Sequence, residues 1–254
     1  MHASRRAAVC LFAIGFLGSA AEAGPLRVAV EGDGAYAPFS FFKDDKTLTG
    51  FDIEITDALC KHIPEGCQII AVPFDGIVDD MAAGKYDVSI SSMGFTAERD
   101  QKILYGPMYY RSHTAFIGRP EKVSDVSPEA LKGLRLASAA GTMQQQYLGK
   151  TYPQSTIIEG KDLDDAYNML ADGKVDLVLA DAVVQMSFLQ SDRGSSFAYI
   201  GQPLRADLFN SASYITLHKG LEAKSAEFTE ALKHIRLDGT YDSINRKFVP
   251  FNIY

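Results

Sequence analysis

Twelve residues of this chain are written almost twice. MAAGKYDVSISS occupies 81–92 and LADGKVDLVLAD occupies 170–181, 89 positions later. Each begins as the end of an apolar-periodic helix, stops at Gly-Lys, and resumes as a short apolar run. Glycine just past a helical pattern is a left-handed cap, and an apolar run bounded by turn residues reads as a buried strand. A chain that builds one helix–turn–strand unit twice is expected to hold two α/β units, although Gly-Lys turn chemistry is common enough to recur without deeper meaning. The copies differ at their tips: one ends on Ser91-Ser92, the other on Ala180-Asp181. In open α/β sheets ligands sit beyond the carboxyl ends of the strands. If the two units face one another, both polar tips line one cleft.

The rest of the chain alternates in the same way. Leu26 to Val30 reads as a strand and opens into the glycine-rich loop EGDGAYAPF. Phe51, Ile55, Leu59 and Ile63 recur at helical spacing and stop before Pro64. Strands follow at 68–72 and 86–90, with a helix at 75–83 between them. A second series has strands at 114–117, 134–138, 156–158 and 175–179, with helices at 143–148 and 163–171. Two closing helices are expected at 223–237 and 241–248. Two runs of alternating strands and helices argue for an α/β fold with mostly parallel sheets.

Arg5 and Arg6 precede an apolar run from Ala7 to Leu17 and a small-residue stretch ending Ala21-Glu22-Ala23. This reads as a secretory signal peptide over residues 1–23, too short to span a bilayer. Without its two arginines and one glutamate, 23 basic residues face 31 acidic ones, a formal charge of −8. That balance makes nucleic acid an unfavourable partner. Export leaves Cys60 and Cys67 in an oxidising compartment, where a close pair usually bonds. Free thiols or a metal site are the rival readings; no histidines at ligand spacing support a metal.

The stretch GFDIEITDALCKHI, residues 50–63, closely resembles the signature of the bacterial extracellular solute-binding proteins of the polar amino acid family. Tyr36-Ala37-Pro38-Phe39, Phe74-Asp75, Ser91-Ser92, Thr96, Arg99, Gly141-Thr142, Asp181 and Asp238-Gly239-Thr240-Tyr241 resemble it in the same order, over essentially all of the exported chain. The cysteine spacing is also like that of the lysine/arginine/ornithine and histidine receptors. The resemblance implies a two-lobed, type II periplasmic-binding-protein fold crossed twice at a hinge. Lobe one would take 24–111 and 208–254, lobe two 112–207. It further implies a periplasmic monomer without cofactor, which hands a polar, cationic amino acid to the permease of an ABC importer.

Each expected ligand residue has a physical rationale and an ordinary alternative. The Arg99 guanidinium suits a carboxylate, which it can hold by two parallel hydrogen bonds; it could instead pair at the surface with Glu98 or Asp100. Thr142 and Met143 open a helix whose free N–H groups suit an anion, and Thr142 could equally be a helix cap only. By the resemblance, Asp181 with Ser92 meets the α-ammonium, with Ser91 beside them; Asp181 could otherwise cap the helix starting near Ala182. Tyr36 and Phe74 match aromatic walls that stack on a guanidinium, or are ordinary core. Asp33, with Glu31 nearby, matches the acid kept for a distal cation, or is a solvated loop residue.

Gly94 departs from the resemblance. The lysine/arginine/ornithine and histidine receptors carry serine there, so the glycine is expected to leave space beside the α-ammonium. Opines such as octopine and nopaline could use that space, with Asn210 meeting their extra acid group. A second class of function is enzymatic: cyclohexadienyl dehydratases resemble the same fold, and Glu31 or Asp33 could then serve as the acid. No nucleophile elbow, zinc motif or phosphate loop supports an enzyme.

Overall fold

The computed structural model describes residues 24–204 and 212–254. The expected signal peptide and Asn210 lie outside the described residues.

Strand β1 (Leu26–Glu31) is followed by three short strands, β2 (Ala35–Tyr36), β3 (Ser40–Phe42) and β4 (Leu48–Thr49). Helix α1 (Phe51–Cys60), β5 (Cys67–Val72), α2 (Ile77–Ala82), β6 (Val88–Gly94), α3 (Ala97–Lys102) and β7 (Leu104–Arg111) complete the first pass. The second half contains β8 (Thr114–Gly118), β9 (Arg135–Ala139), α4 (Met143–Thr151), β10 (Thr156–Gly160), α5 (Leu163–Ala171), β11 (Leu177–Asp181), α6 (Ala182–Leu189) and β12 (Ala198–Leu204). The chain then returns through β13 (Ala212–Leu217), α7 (Glu222–Leu237) and α8 (Thr240–Phe248). Two five-stranded sheets result, in the orders β5-β1-β6-β13-β7 and β10-β9-β11-β8-β12, with β2-β3-β4 as a small antiparallel sheet. Among the described residues, no helix is long and apolar enough to cross a membrane.

The written repeat is a structural repeat. Gly84 and Gly173 both take the left-handed conformation, φ 73° and 70°, that ends the helix and turns the chain toward the sheet. Three residues on, Asp87 receives the backbone N–H of Arg27 at 2.8 Å and its guanidinium at 2.9 and 2.7 Å. Asp176 receives the same three bonds from Arg135, at 2.8, 3.1 and 2.7 Å. Each bidentate pair ties the start of β6 or β11 to the start of the parallel neighbour, β1 or β9. The matching starts of those neighbours, Leu26-Arg27 and Leu134-Arg135, carry the other half of the repeat.

Alternation then fills both faces of each sheet. On β11, Leu177 and Leu179 face a cluster with Phe116, Leu136, Leu148 and Tyr152, while Val178 and Ala180 face α5 and α6. Helix α1 buries Phe51, Ile55 and Leu59 completely against the first sheet.

The sheets are mixed, which corrects the expectation of mostly parallel pairing. Each has two parallel and two antiparallel pairings, because β13 in the first and β8 in the second run against their neighbours. Both are the strands that the chain enters directly after crossing from the other sheet. Strands that end at the cleft deliver the chain there, so the next strand must start at the cleft and run away from it. Two edge strands, β7 and β12, are absent from the sequence reading, and both contain a proline, Pro107 and Pro203. Proline is tolerated in a strand at an edge, where no ladder partner needs its missing N–H.

Cys60 and Cys67 form a disulfide that joins the end of α1 to the start of β5. So short a loop constrains the unfolded chain only modestly. Replacing both cysteines by serine is expected to lower stability by about 2 kcal/mol and the melting temperature by roughly 4–8 °C, measured by thermal unfolding. An unchanged melting temperature would remove the disulfide from the stability of the fold.

Candidate functional site

The carboxyl ends of β6 and β11 open onto one cavity between the two sheets. All ten expected ligand residues line it: Asp33, Tyr36, Phe74, Ser91, Ser92, Gly94, Arg99, Thr142, Met143 and Asp181. Residues at both crossings line it too, among them Ser112, Thr114 and Ser213, because the reversed strands begin at the cleft.

Arg99 comes from α3, whose first turn is held by Thr96: its hydroxyl accepts the Arg99 backbone N–H at 3.1 Å. The side chain turns inward and is only 7% exposed. One guanidinium nitrogen donates to the Gly94 carbonyl at 2.9 Å and the other to the Gly141 carbonyl, also at 2.9 Å. Gly94 belongs to β6 and Gly141 precedes α4, so a single guanidinium spans the two halves. The surface ion pair with Glu98 or Asp100 does not form; Glu98 lies 4.0 Å from Lys102 instead. Phe74 lies beneath the guanidinium, 5.7 Å from ring centroid to carbon. Burial lowers the Arg99 pKa from its ordinary value.

Asp181 ends β11 and caps α6. Its Oδ1 accepts the N–H groups of Val183 and Val184, at 2.8 and 3.3 Å, and the Ser112 hydroxyl at 2.7 Å. The cap and the cavity position coexist. Burial pushes its pKa up to about 6, against the hydrogen bonds that lower it. Thr142 likewise caps α4, accepting Gln145 N–H at 3.1 Å, while lining the cavity.

At the other tip, Ser92 holds a left-handed backbone, φ 54°, which is uncommon for a residue with a side chain. The buried pair behind it enforces this geometry. Ser92 N–H donates to Tyr109 Oη at 2.8 Å, and Ser92 Oγ donates to Asp52 Oδ2 at 2.7 Å. Tyr109 Oη in turn donates to Asp52 Oδ1 at 2.8 Å. Burial pushes the Asp52 pKa up to about 8. The Ser91 hydroxyl is already engaged, with Ser89 Oγ at 2.9 Å and the Ala29 carbonyl at 3.3 Å, so it contributes to the framework of the wall.

The acids near β1 divide differently from their reading in sequence. Asp33 lines the cavity, but its Oδ2 accepts Phe74 N–H at 3.1 Å and so pins the loop after β5. Its own N–H donates to Glu31 Oε1 at 2.8 Å. Glu31 is 5% exposed, and its Oε2 is buried without a hydrogen-bond partner among the described residues. Burial pushes its pKa up to about 7. Glu31 entered the sequence reading as a neighbour of Asp33 and as a candidate acid of the enzymatic alternative; its place at the carboxyl end of β1 was the signal that it faces the cleft. The cavity lining holds five carboxyls, Glu31, Asp33, Asp75, Asp162 and Asp181, against two cations, Arg99 and Lys161.

The space expected beside Gly94 is filled. A methyl group on its Cα would lie 2.4 Å from Met143 Cε and 2.9 Å from Met143 Sδ. This corrects the expectation of open space, the observation on which the opine reading rested; the thioether of α4 occupies it from across the cleft.

A model of the bacterial extracellular solute-binding proteins, family 3, matches residues 26–251. The lysine/arginine/ornithine-binding periplasmic protein of Escherichia coli is 30% identical over 236 residues, 91% of this chain and 90% of that protein. The L-arginine-binding protein of Pseudomonas aeruginosa is 30% identical over 235 residues, with 91% and 90% covered. Among solved structures, an ancestral arginine-binding protein bound to arginine superposes with a TM-score of 0.81 at 26% identity, over 90% of this chain and 99% of that one.

Proposed function

Because the chain belongs to the bacterial extracellular solute-binding proteins, family 3, we propose that it is the periplasmic receptor of an ABC importer and that its ligand is a basic amino acid: arginine, lysine or ornithine. The observation that carries the cationic class is the acid excess of the cavity, five carboxyls to two cations, with Glu31 Oε2 buried and unpartnered among the described residues. A buried carboxylate is costly unless it is paired, and a ligand ammonium or guanidinium supplies the pair. The names of the relatives point the same way.

In this reading the ligand α-carboxylate lies on Arg99 and the N-terminal end of α4 at Thr142-Met143, where guanidinium and helix dipole act together. Its ammonium lies between Asp181 and Ser92. Tyr36 and Phe74 flank the side chain, and its distal cation meets Glu31, which Asp33 holds in place. The lobes are 24–111 with 208–254, and 112–207, turning on the two crossings, and the permease receives the ligand when they open. Micromolar affinity, about −8 kcal/mol, is within reach of a few charge-assisted hydrogen bonds after ordering costs.

Calorimetric titration of the exported chain with arginine, lysine, ornithine and a set of neutral amino acids tests this. One basic ligand is expected to bind at micromolar concentration or below, and neutral ligands at least about thirtyfold more weakly. Equal binding of neutral ligands, or no heat from any basic one, refutes the cationic class. Incubation with prephenate is expected to yield no aromatic product.

A further inference from the structure

The two halves also meet at a socket that the roles above do not use. Gly94 ends β6, and Met143 opens α4 from the opposite half. The Met143 thioether end sits where a side chain at 94 would be, within 2.4 Å of that position. The Gly94 side of the contact is fixed. Its carbonyl accepts both Arg99 and the Tyr105 hydroxyl at 2.9 Å, and its backbone is in register with Ser213 of β13. The other side can yield, because methionine is unbranched and has three rotatable bonds. Met143 packs against the cluster that holds Leu148, Tyr152 and Leu177 and also lines the cavity. A group larger than hydrogen in the socket would therefore push Met143 into ligand space.

The socket also lies close to one particular part of a bound amino acid. Arg99 bonds the Gly94 carbonyl with one nitrogen, so a carboxylate held on the same guanidinium brings its α-carbon and α-nitrogen beside Gly94. We propose that Met143 is a specificity residue: a plug that closes the Gly94 socket when the halves meet and so excludes ligands substituted on the α-nitrogen. This rests on the carboxylate placement proposed above.

The test uses the exported chain and its variants Met143→Ala, Gly94→Ser and the double variant, each checked for folding by circular dichroism. The twenty amino acids are first titrated to find the tightest ligand, and its Nα-methyl derivative is then titrated beside it. The parent is expected to favour the unmethylated ligand by about tenfold or more, the discrimination that a methyl-sized difference allows in a packed pocket. Met143→Ala should bring that preference below roughly threefold. Gly94→Ser should weaken the tightest ligand by about tenfold, and adding Met143→Ala should restore it to within roughly threefold, since groups in contact are not additive. An unchanged methyl preference in Met143→Ala, or additive losses in the double variant, overturns the proposal. The preference is taken on whichever amino acid binds best, so a neutral best ligand refutes the cationic reading and leaves this test intact; binding of no amino acid overturns both.

Discussion

Arg99→Met is expected to weaken every α-amino acid ligand by more than about a hundredfold, whatever its side chain, since losing one partner of a buried, hydrogen-bonded charge pair costs roughly 2–5 kcal/mol. The guanidinium is nearly enclosed and commits N–H groups to carbonyls on both sides of the cleft, Gly94 and Gly141. Five N–H donors in a rigid fork let one arginine hold that frame and a carboxylate together. Methionine keeps the length and removes all of them. Arg99→Lys keeps the charge but loses the fork, so a smaller loss, about tenfold, is expected. Calorimetry with one basic and one neutral ligand separates the general loss from a side-chain effect. Binding within threefold of the parent in Arg99→Met would take the residue out of the carboxylate site.

The second large effect concerns Glu31 and pH. Burial raises Glu31 to about 7 and Asp181 to about 6. A carboxyl whose pKa is raised by the fold stabilises the closed cleft in its protonated form. That contribution is full below the ordinary carboxyl range and is lost as pH rises through about 6 to 7. A cationic ligand needs the ionised forms, so protons compete with it. Affinity for a basic amino acid is therefore expected to rise roughly a hundred- to a thousandfold between pH 5 and 8. Protons should be released on binding, which titration in buffers of different ionisation enthalpy measures directly. Glu31→Gln should weaken basic ligands at pH 8 by about thirtyfold and leave neutral ones within roughly threefold. It should also remove the step of the pH profile near 7 and leave the step near 6 that belongs to Asp181. Equal losses for both ligand classes would mean that Glu31 shapes the loop and does not read the ligand cation.

Much of this candidate site is legible in the sequence. Ser92 and Asp181 stand out because they end the two copies of one unit, and the end of a strand in an α/β sheet is where a cleft forms. Arg99 and Thr142 follow from the residues around them in the chain. What was not legible depended on partners far away in sequence. Asp33 and Glu31 are both acids in one loop. The approach of Phe74, 41 positions from Asp33, engages Asp33, while Glu31 keeps one oxygen buried without a hydrogen-bond partner among the described residues. Gly94 reads as empty space until α4 brings Met143 against it. The strands that contain Pro107 and Pro203 are absent from the sequence reading, and only the sheet order shows that they lie at edges.

The order of residues alone therefore determined two α/β units and their repeated strand tips, because periodicity and capping act over a few residues, and its resemblance to a family implied the polar groups that could surround a ligand. Tertiary structure decided which strands reverse, which carboxyl oxygen lacks a partner among the described residues and which gap is filled. Strand direction follows from where the chain crosses, hydrogen-bond commitment needs a donor from another loop, and volume is taken by whatever packs across the cleft; none of these is written within a single helix or strand.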